Sequence, residues 1–251
     1  MIAPREGSPE HYGWLAAQRW GTYIRAQEAE VIDEAQRAAP EPRRAIDIGC
    51  GGGEWTQFLI ERGWSVTAVD VNPECVRACK ARNPESDCVL VDTDNRSLPG
   101  ENASVSLIIC IESREVSHSD WFLQEAERVL LPGGRLVTVA WNRSSLRGRA
   151  TDARSRLRTG EPHAYYQLPY RTWRRGLTSA GLEVDAERGL CWFPFSRTSN
   201  SPLVPVAAVL ERRLGLSRLP TLSPWVLVTG RRPSHAATVA HTSRGEAVDR
   251  S

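Results

Sequence analysis

Lysine is almost missing from this chain: Lys80 is the only one in 251 residues, and arginine carries the rest of the basic charge. With 32 basic and 30 acidic residues the formal net charge is only +2, so there is no general attraction to nucleic acid. No apolar run approaches the ~20 residues of a membrane-spanning helix. The N-terminus has no apolar signal-peptide core, so a cytoplasmic protein without a membrane span is expected. Cysteine is present six times, but Cys50, Cys75, Cys79, Cys88, Cys110 and Cys191 do not stand at disulfide-framework spacings. Cys75 and Cys79 share a helical face, yet no Cys-x-x-Cys or histidine pair accompanies them, so no metal is expected. They read as small buried hydrophobes in a reducing compartment.

What the chain does have is a glycine loop. Residues 44–54 run Arg-Ala-Ile-Asp-Ile-Gly-Cys-Gly-Gly-Gly-Glu, a short apolar strand leading into glycines and then a helix over Trp55–Arg62. Glycines at 49, 51 and 53 carry no Cβ, so backbone N–H groups can approach a ligand closely. The dinucleotide fingerprint spaces its glycines G-x-G-x-x-G and needs no acid in the strand before them. Here the pattern is Asp47-x-Gly49-x-Gly51-x-Gly53. A carboxylate at that strand end would repel a phosphate and attract an ammonium group, so the expected ligand carries an amine as well as a nucleoside.

This stretch resembles the first motif of the class I S-adenosylmethionine-dependent methyltransferases, D/E-x-G-x-G-x-G and often D-x-G-C-G-x-G, within a methyltransferase type 11-like domain. The resemblance implies S-adenosylmethionine as cofactor, with the loop from Gly49 through Cys50 and Gly51 to Gly53 wrapping its methionine part and Asp47 facing its amino end. A second strand, Trp64–Asp70, ends in an acid at about the 20-residue offset at which a carboxylate pairs with a ribose diol. Asp70 is therefore the ribose candidate, with Val71 and Asn72 beside it, and Asn72-Pro73-Glu74 opens a helix. A third strand, Cys88–Asp92, places Asp92 and Thr93 where the resemblance implies adenine contacts. The tip of a fourth strand, Ser104–Ile111, brings Cys110 and Ile111 beside the cofactor. An amphipathic helix over Asp120–Leu131 leads into Pro132-Gly133-Gly134, read as a tight turn into a fifth strand.

Strands alternating with helices predict an α/β, doubly wound, Rossmann-like sheet. The resemblance implies seven strands, the last one antiparallel, in a single domain over residues 41–232. Residues 1–40 carry aromatic and apolar side chains at helical spacing and predict an N-terminal helical lid. Substrate-side insertions are expected at 142–170, as a loop or short helical excursion, and at 191–220. The sixth strand is expected around Leu182–Val184 and the seventh at Ser223–Thr229. Residues 233–251 are small, polar and without apolar period, so a disordered tail is expected.

The reaction expected is methyl transfer to a small-molecule acceptor, with O-methylation ahead of N or C. His118 and His163 are the candidate proton acceptors, since histidine titrates near neutrality. Glu112 and Glu115 resemble paired acids of quinone-ring O-methyltransferases, but Val116 stands where that group has histidine. A nicotinamide oxidoreductase and a catalytically silent cofactor-binding protein are the alternatives.

Overall fold

The computed structural model describes residues 4, 5 and 7–234, so the expectation for the tail lies almost wholly outside the described residues. Helices α1 (Pro9–Ala16) and α2 (Arg19–Ala38) come first. Then follow β1 (Arg44–Ile48), α3 (Glu54–Ile60), β2 (Ser65–Asp70), α4 (Pro73–Arg82), β3 (Asp87–Leu90) and β4 (Val105–Cys110). The second half adds α5 (Arg114–Ser117), α6 (Phe122–Val129), β5 (Leu130–Trp141), α7 (Leu146–Thr159), α8 (Tyr170–Ser179), β6 (Glu183–Leu190), α9 (Leu203–Arg213) and β7 (Trp225–Arg231). The strands form one seven-stranded sheet in the order β3-β2-β1-β4-β5-β7-β6. Strands β1 to β5 are parallel, and β7 inserts antiparallel between β5 and β6. Chain order reverses between β1 and β4, and a ligand crevice opens at such a switch point, outside the carboxyl ends of the strands.

The period of two along the strands builds two cores. On β4, Leu107 and Ile109 pack to one face while Ile108 and Cys110 pack to the other. On β7, Trp225 and Leu227 alternate with Val226 and Val228 in the same way. Helix α2 covers the first face with Trp20, Ile24, Val31 and Ile32, whereas α6 and α8 cover the second with Phe122, Ala126, Val129, Tyr170, Trp173 and Leu177. Thus α2 is part of the core. Helix α1, whose only buried residue is Leu15, is left to lie over the crevice.

Four local outcomes differ from expectation. Residues 142–162 hold a full 14-residue helix, α7, rather than a loop or short excursion. Ser145 caps it by accepting from the Gly148 N–H (2.9 Å), and Gly160 ends it at φ 78°. It shows no apolar period because Gly148 is its only buried residue. Strand β6 runs on to Leu190 through Asp185, Glu187 and Arg188, polar residues suited to a sheet edge. Pro132-Gly133-Gly134 does not reverse the chain: it lies inside β5, where the register with β4 shifts between Val105 and Leu107. Strand β3 ends at Leu90, which leaves Asp92 in the following loop.

Candidate active site

The glycine loop is pinned from behind. The N–H groups of Gly49 and Cys50 both donate to the Val69 carbonyl (2.8 and 3.1 Å), which ties the end of β1 to β2. The Asp70 carboxylate completes the tie, accepting from the Gly51 N–H (2.9 Å) on one oxygen and the Asn72 N–H (2.8 Å) on the other. Gly49, Gly51 and Gly53 all adopt positive φ, which a side chain disfavours. A Cβ on Gly49 would strike the Ser113 hydroxyl at 1.8 Å, while one on Gly51 would meet nothing within 4 Å. Gly51 faces open space.

That space is a cavity of about 980 Å³ at the sheet's switch point. Of the residues expected at the cofactor, Gly49, Cys50, Gly51, Asp70, Val71, Asn72, Asp92, Thr93 and Ile111 line it. Asp92 also closes its own turn, accepting from the Asp94 N–H (3.0 Å). Gly53 lies behind the loop, where an added Cβ would press on Asn83 and Cys79, and Cys110 is fully buried in the sheet.

Asp47 is not brought to the cavity. It is 2% exposed and accepts from the Thr56 hydroxyl (2.6 Å), so it anchors the first turn of α3 from beneath the loop. Burial pushes its carboxyl up to about 7 despite the Thr56 hydrogen bond.

Neither histidine reaches the cavity either. His118 caps α5 at its C-terminal end and packs edge-on against Trp141 (centroids 5.5 Å apart). Both of its ring nitrogens are buried and unpartnered, and burial lowers its pKa to about 4. His163 accepts from the Tyr165 N–H (3.2 Å) and packs beside Tyr165 and Tyr166. Burial keeps both imidazoles neutral, and neither lines the cavity where an acceptor would sit.

A cluster that the sequence did not single out as a unit occupies the cavity's other end. His11, Tyr12, Trp55, Glu112, Arg114, Tyr165 and Arg197 line it. The Tyr12 hydroxyl donates to Glu28 (2.6 Å), which is fully buried and has its second oxygen unpartnered. Glu112 is ion-paired with Arg197, whose guanidinium also donates to the Tyr165 hydroxyl (2.8 Å). Arg114 and Arg197 lie 4.8 and 5.5 Å from the centre of the Tyr165 ring. Burial raises the pKa of both Glu28 and Glu112, and the charge of Glu112 raises Glu28 further. Glu112 itself sits at φ 56°, a conformation rare outside glycine and asparagine and found at sites that over-determine it. Glu28 had one signal in the sequence: it falls on the face of α2 that carries Ile24, Val31, Ile32 and Ala35.

S-adenosylmethionine fits this cavity. Gly51 leaves open the space a side chain would fill, and each Asp70 oxygen keeps a second acceptor site for a ribose hydroxyl. The Val91–Pro99 stretch, with Asp92, Thr93, Leu98 and Pro99 on the wall, offers an apolar and polar edge for a base.

The chain is similar to known methyltransferases. A family model described as a methyltransferase domain matches residues 45–134. An uncharacterized methyltransferase of Mycobacterium tuberculosis is 32% identical over 187 residues, 68% of this chain and 75% of that protein. A fatty-acid O-methyltransferase of Mycolicibacterium smegmatis is 28% identical over 181 residues, covering 71% of this chain and 57% of that protein. In structure, the geranyl diphosphate C-methyltransferase of Streptomyces coelicolor, solved with Mg2+, geranyl diphosphate and S-adenosylhomocysteine, superposes with a TM-score of 0.60. That match is 17% identical and covers 92% of this chain and 90% of the other, a likeness of fold.

Proposed function

Because the chain belongs to the class I S-adenosylmethionine-dependent methyltransferases, we propose that it methylates an oxygen of a small-molecule acceptor, with Glu112 as the proton acceptor. Membership sets aside the nicotinamide oxidoreductase and the silent cofactor-binding protein. The observation that carries the reading is the Glu112 carboxylate: its side chain is 11% exposed, it stands just past the tip of β4, and it lines the same cavity as Asp70.

When bound, the cofactor supplies a methyl group activated on a sulfonium. The chain's own residues do the rest. Asp70 and the Gly49–Gly51 backbone hold the nucleoside and methionine ends, and Asp92 and Thr93 border the base. Glu112, its pKa raised by burial, takes the proton of an acceptor hydroxyl while Arg197 fixes its orientation. Tyr12 and Trp55 form an apolar wall that excludes water and favours an acceptor with an apolar body. Helix α1, with the residues just before it, acts as the lid. The six cysteines are all free, which suits a reducing cytoplasm.

The test is S-adenosylhomocysteine release over a panel of alcohols, phenols, carboxylic acids and amines. Turnover on a hydroxyl acceptor that falls about a hundredfold in Glu112→Gln supports the reading. Turnover confined to amines would overturn O-methylation, and undiminished turnover in Glu112→Gln would remove Glu112 as the base.

A further inference from the structure

Helix α9 is turned inside out. Its inward side carries Val204, Ala207 and the carboxylate of Glu211, which accepts from the Tyr23 hydroxyl and from the Trp192 N–H (2.9 Å). Its outward side carries Leu203, Val206, Val209 and Leu210, continued by Leu214, all 40–65% exposed. Leu219 and Leu222 prolong the strip past the short turn Leu216–Arg218. Seven of the eleven exposed large hydrophobic side chains among the described residues lie in this one segment, 203–222. Scattered exposed leucines need no explanation, but a concentration on one element marks a surface that something covers.

Charge indicates what covers it. Arg212, Arg213 and Arg218 are exposed in the same segment, and its only acid, Glu211, is buried. A second copy docked face to face would set these arginines against each other with no exposed acid from the segment between them. An apolar strip with unanswered arginines suits a surface that is apolar within and anionic at its edge. We propose that the 203–222 face docks the protein on an anionic phospholipid bilayer, lying in the interface rather than crossing it. The length agrees, because 11 helical residues at 1.5 Å each reach about half the ~30 Å hydrocarbon core, and no helix among the described residues is long and apolar enough to span it. Residues 191–202 join this face to the cavity through Arg197. The inference stands independently of the methyl acceptor.

The experiment is co-sedimentation of the full-length protein with vesicles of phosphatidylcholine alone or mixed with phosphatidylglycerol. Partition onto the mixed vesicles only, weakening as salt is raised, is the expected result. Replacing Arg212, Arg213 and Arg218 together by glutamine lowers that partition about a hundredfold, since each basic residue contributes roughly fivefold. Leu203→Ser, Val206→Ser and Leu210→Ser combined lowers it at least tenfold. Calorimetric binding of S-adenosylhomocysteine, unchanged in both variants, shows that they are folded. Absence of partition, partition that neither variant reduces, or a solution dimer dissolved by the serine variant would each overturn the proposal, the last by showing that a second copy covers the face.

Discussion

At the scale of single residues, three carboxylates divide the labour. Asp70 holds two backbone N–H groups and faces the cavity, so Asp70→Ala frees the Gly51 N–H and loosens the turn into α4. Its affinity for S-adenosylhomocysteine is expected to fall at least tenfold by calorimetry, with turnover lost in proportion. If Glu112 is the base, as proposed, it is expected to govern the pH profile. A base works when ionised, so activity is present above its pKa and lost as pH falls through it. Since burial raises that pKa, the acid limb of kcat/KM is expected above the ordinary carboxylate value of about 4.3. Glu112→Gln removes the limb along with most of the rate. Asp47 acts on stability and in the opposite direction. Burial pushes its carboxyl from the ordinary 3.8 up to about 7 in the fold, so between those values the native state binds the extra proton. Its contribution is complete below pH ~4 and is lost as pH rises through ~7. Asp47→Asn keeps an acceptor for Thr56 without the titration, so its melting temperature relative to wild type is expected to climb from pH 4 to pH 8. A constant difference between the two proteins would show that Asp47 does not carry this linkage.

At the scale of elements, the glycine loop separates binding from folding. Gly51→Ala adds a methyl group that meets no protein atom but projects at the cavity, and φ 51° costs it about 1 kcal/mol of strain. Gly53→Ala adds one that presses within 3.0 Å of Cys79 and Asn83, both buried, so the C-terminal end of α4 must shift. The first is expected to weaken cofactor affinity with a small fall in melting temperature. The second is expected to lower the melting temperature sharply, by an overpacking cost of about 1–3 kcal/mol. Equal melting shifts in the two variants would contradict this division. The loop was legible in the sequence because its glycines follow one another at fixed spacing, and so was the sheet, because β1, β2 and β4 are short apolar runs ended by acids or glycines. The site's other half was not. Tyr12, Glu28, Glu112, Tyr165 and Arg197 come from five separated segments, and only the packing of α1, α2 and the 191–202 loop brings them together. His118, just after the fourth strand, and His163, in the loop after the fifth, are titratable groups that a sequence marks readily, but periodicity does not show that Trp141 and the Tyr165–Tyr166 pair pack against them.

At the scale of the whole molecule, the N-terminal region looks continuous in sequence, yet the fold splits it by stability. Helix α2 buries Trp20, Ile24, Glu28, Val31, Ile32 and Ala35 against the sheet, so exposing its amides requires opening the core. Helix α1 buries only Leu15, and its inward tether is the Tyr12 hydroxyl on Glu28. Local opening free energy follows buried apolar contact, so α1 belongs to the low-stability end of the molecule and α2 to the high end. A lid needs this difference, because it must open without unfolding what it closes over. The residues before and within α1 line the cavity at Arg5, Gly7, Ser8, His11 and Tyr12, so a ligand filling it adds contacts to α1. A ligand that binds only the closed arrangement shifts the population toward it. Hydrogen exchange read by mass spectrometry is therefore expected to show fast exchange over residues 9–16 and slow exchange over 20–35 in the protein alone. With saturating S-adenosylhomocysteine the first segment slows at least tenfold and the second changes little. Tyr12→Phe removes the tether to Glu28 and is expected to speed exchange in α1 without altering α2. If α1 were as protected as α2 before ligand is added, it would be a fixed wall of the cavity and not a lid.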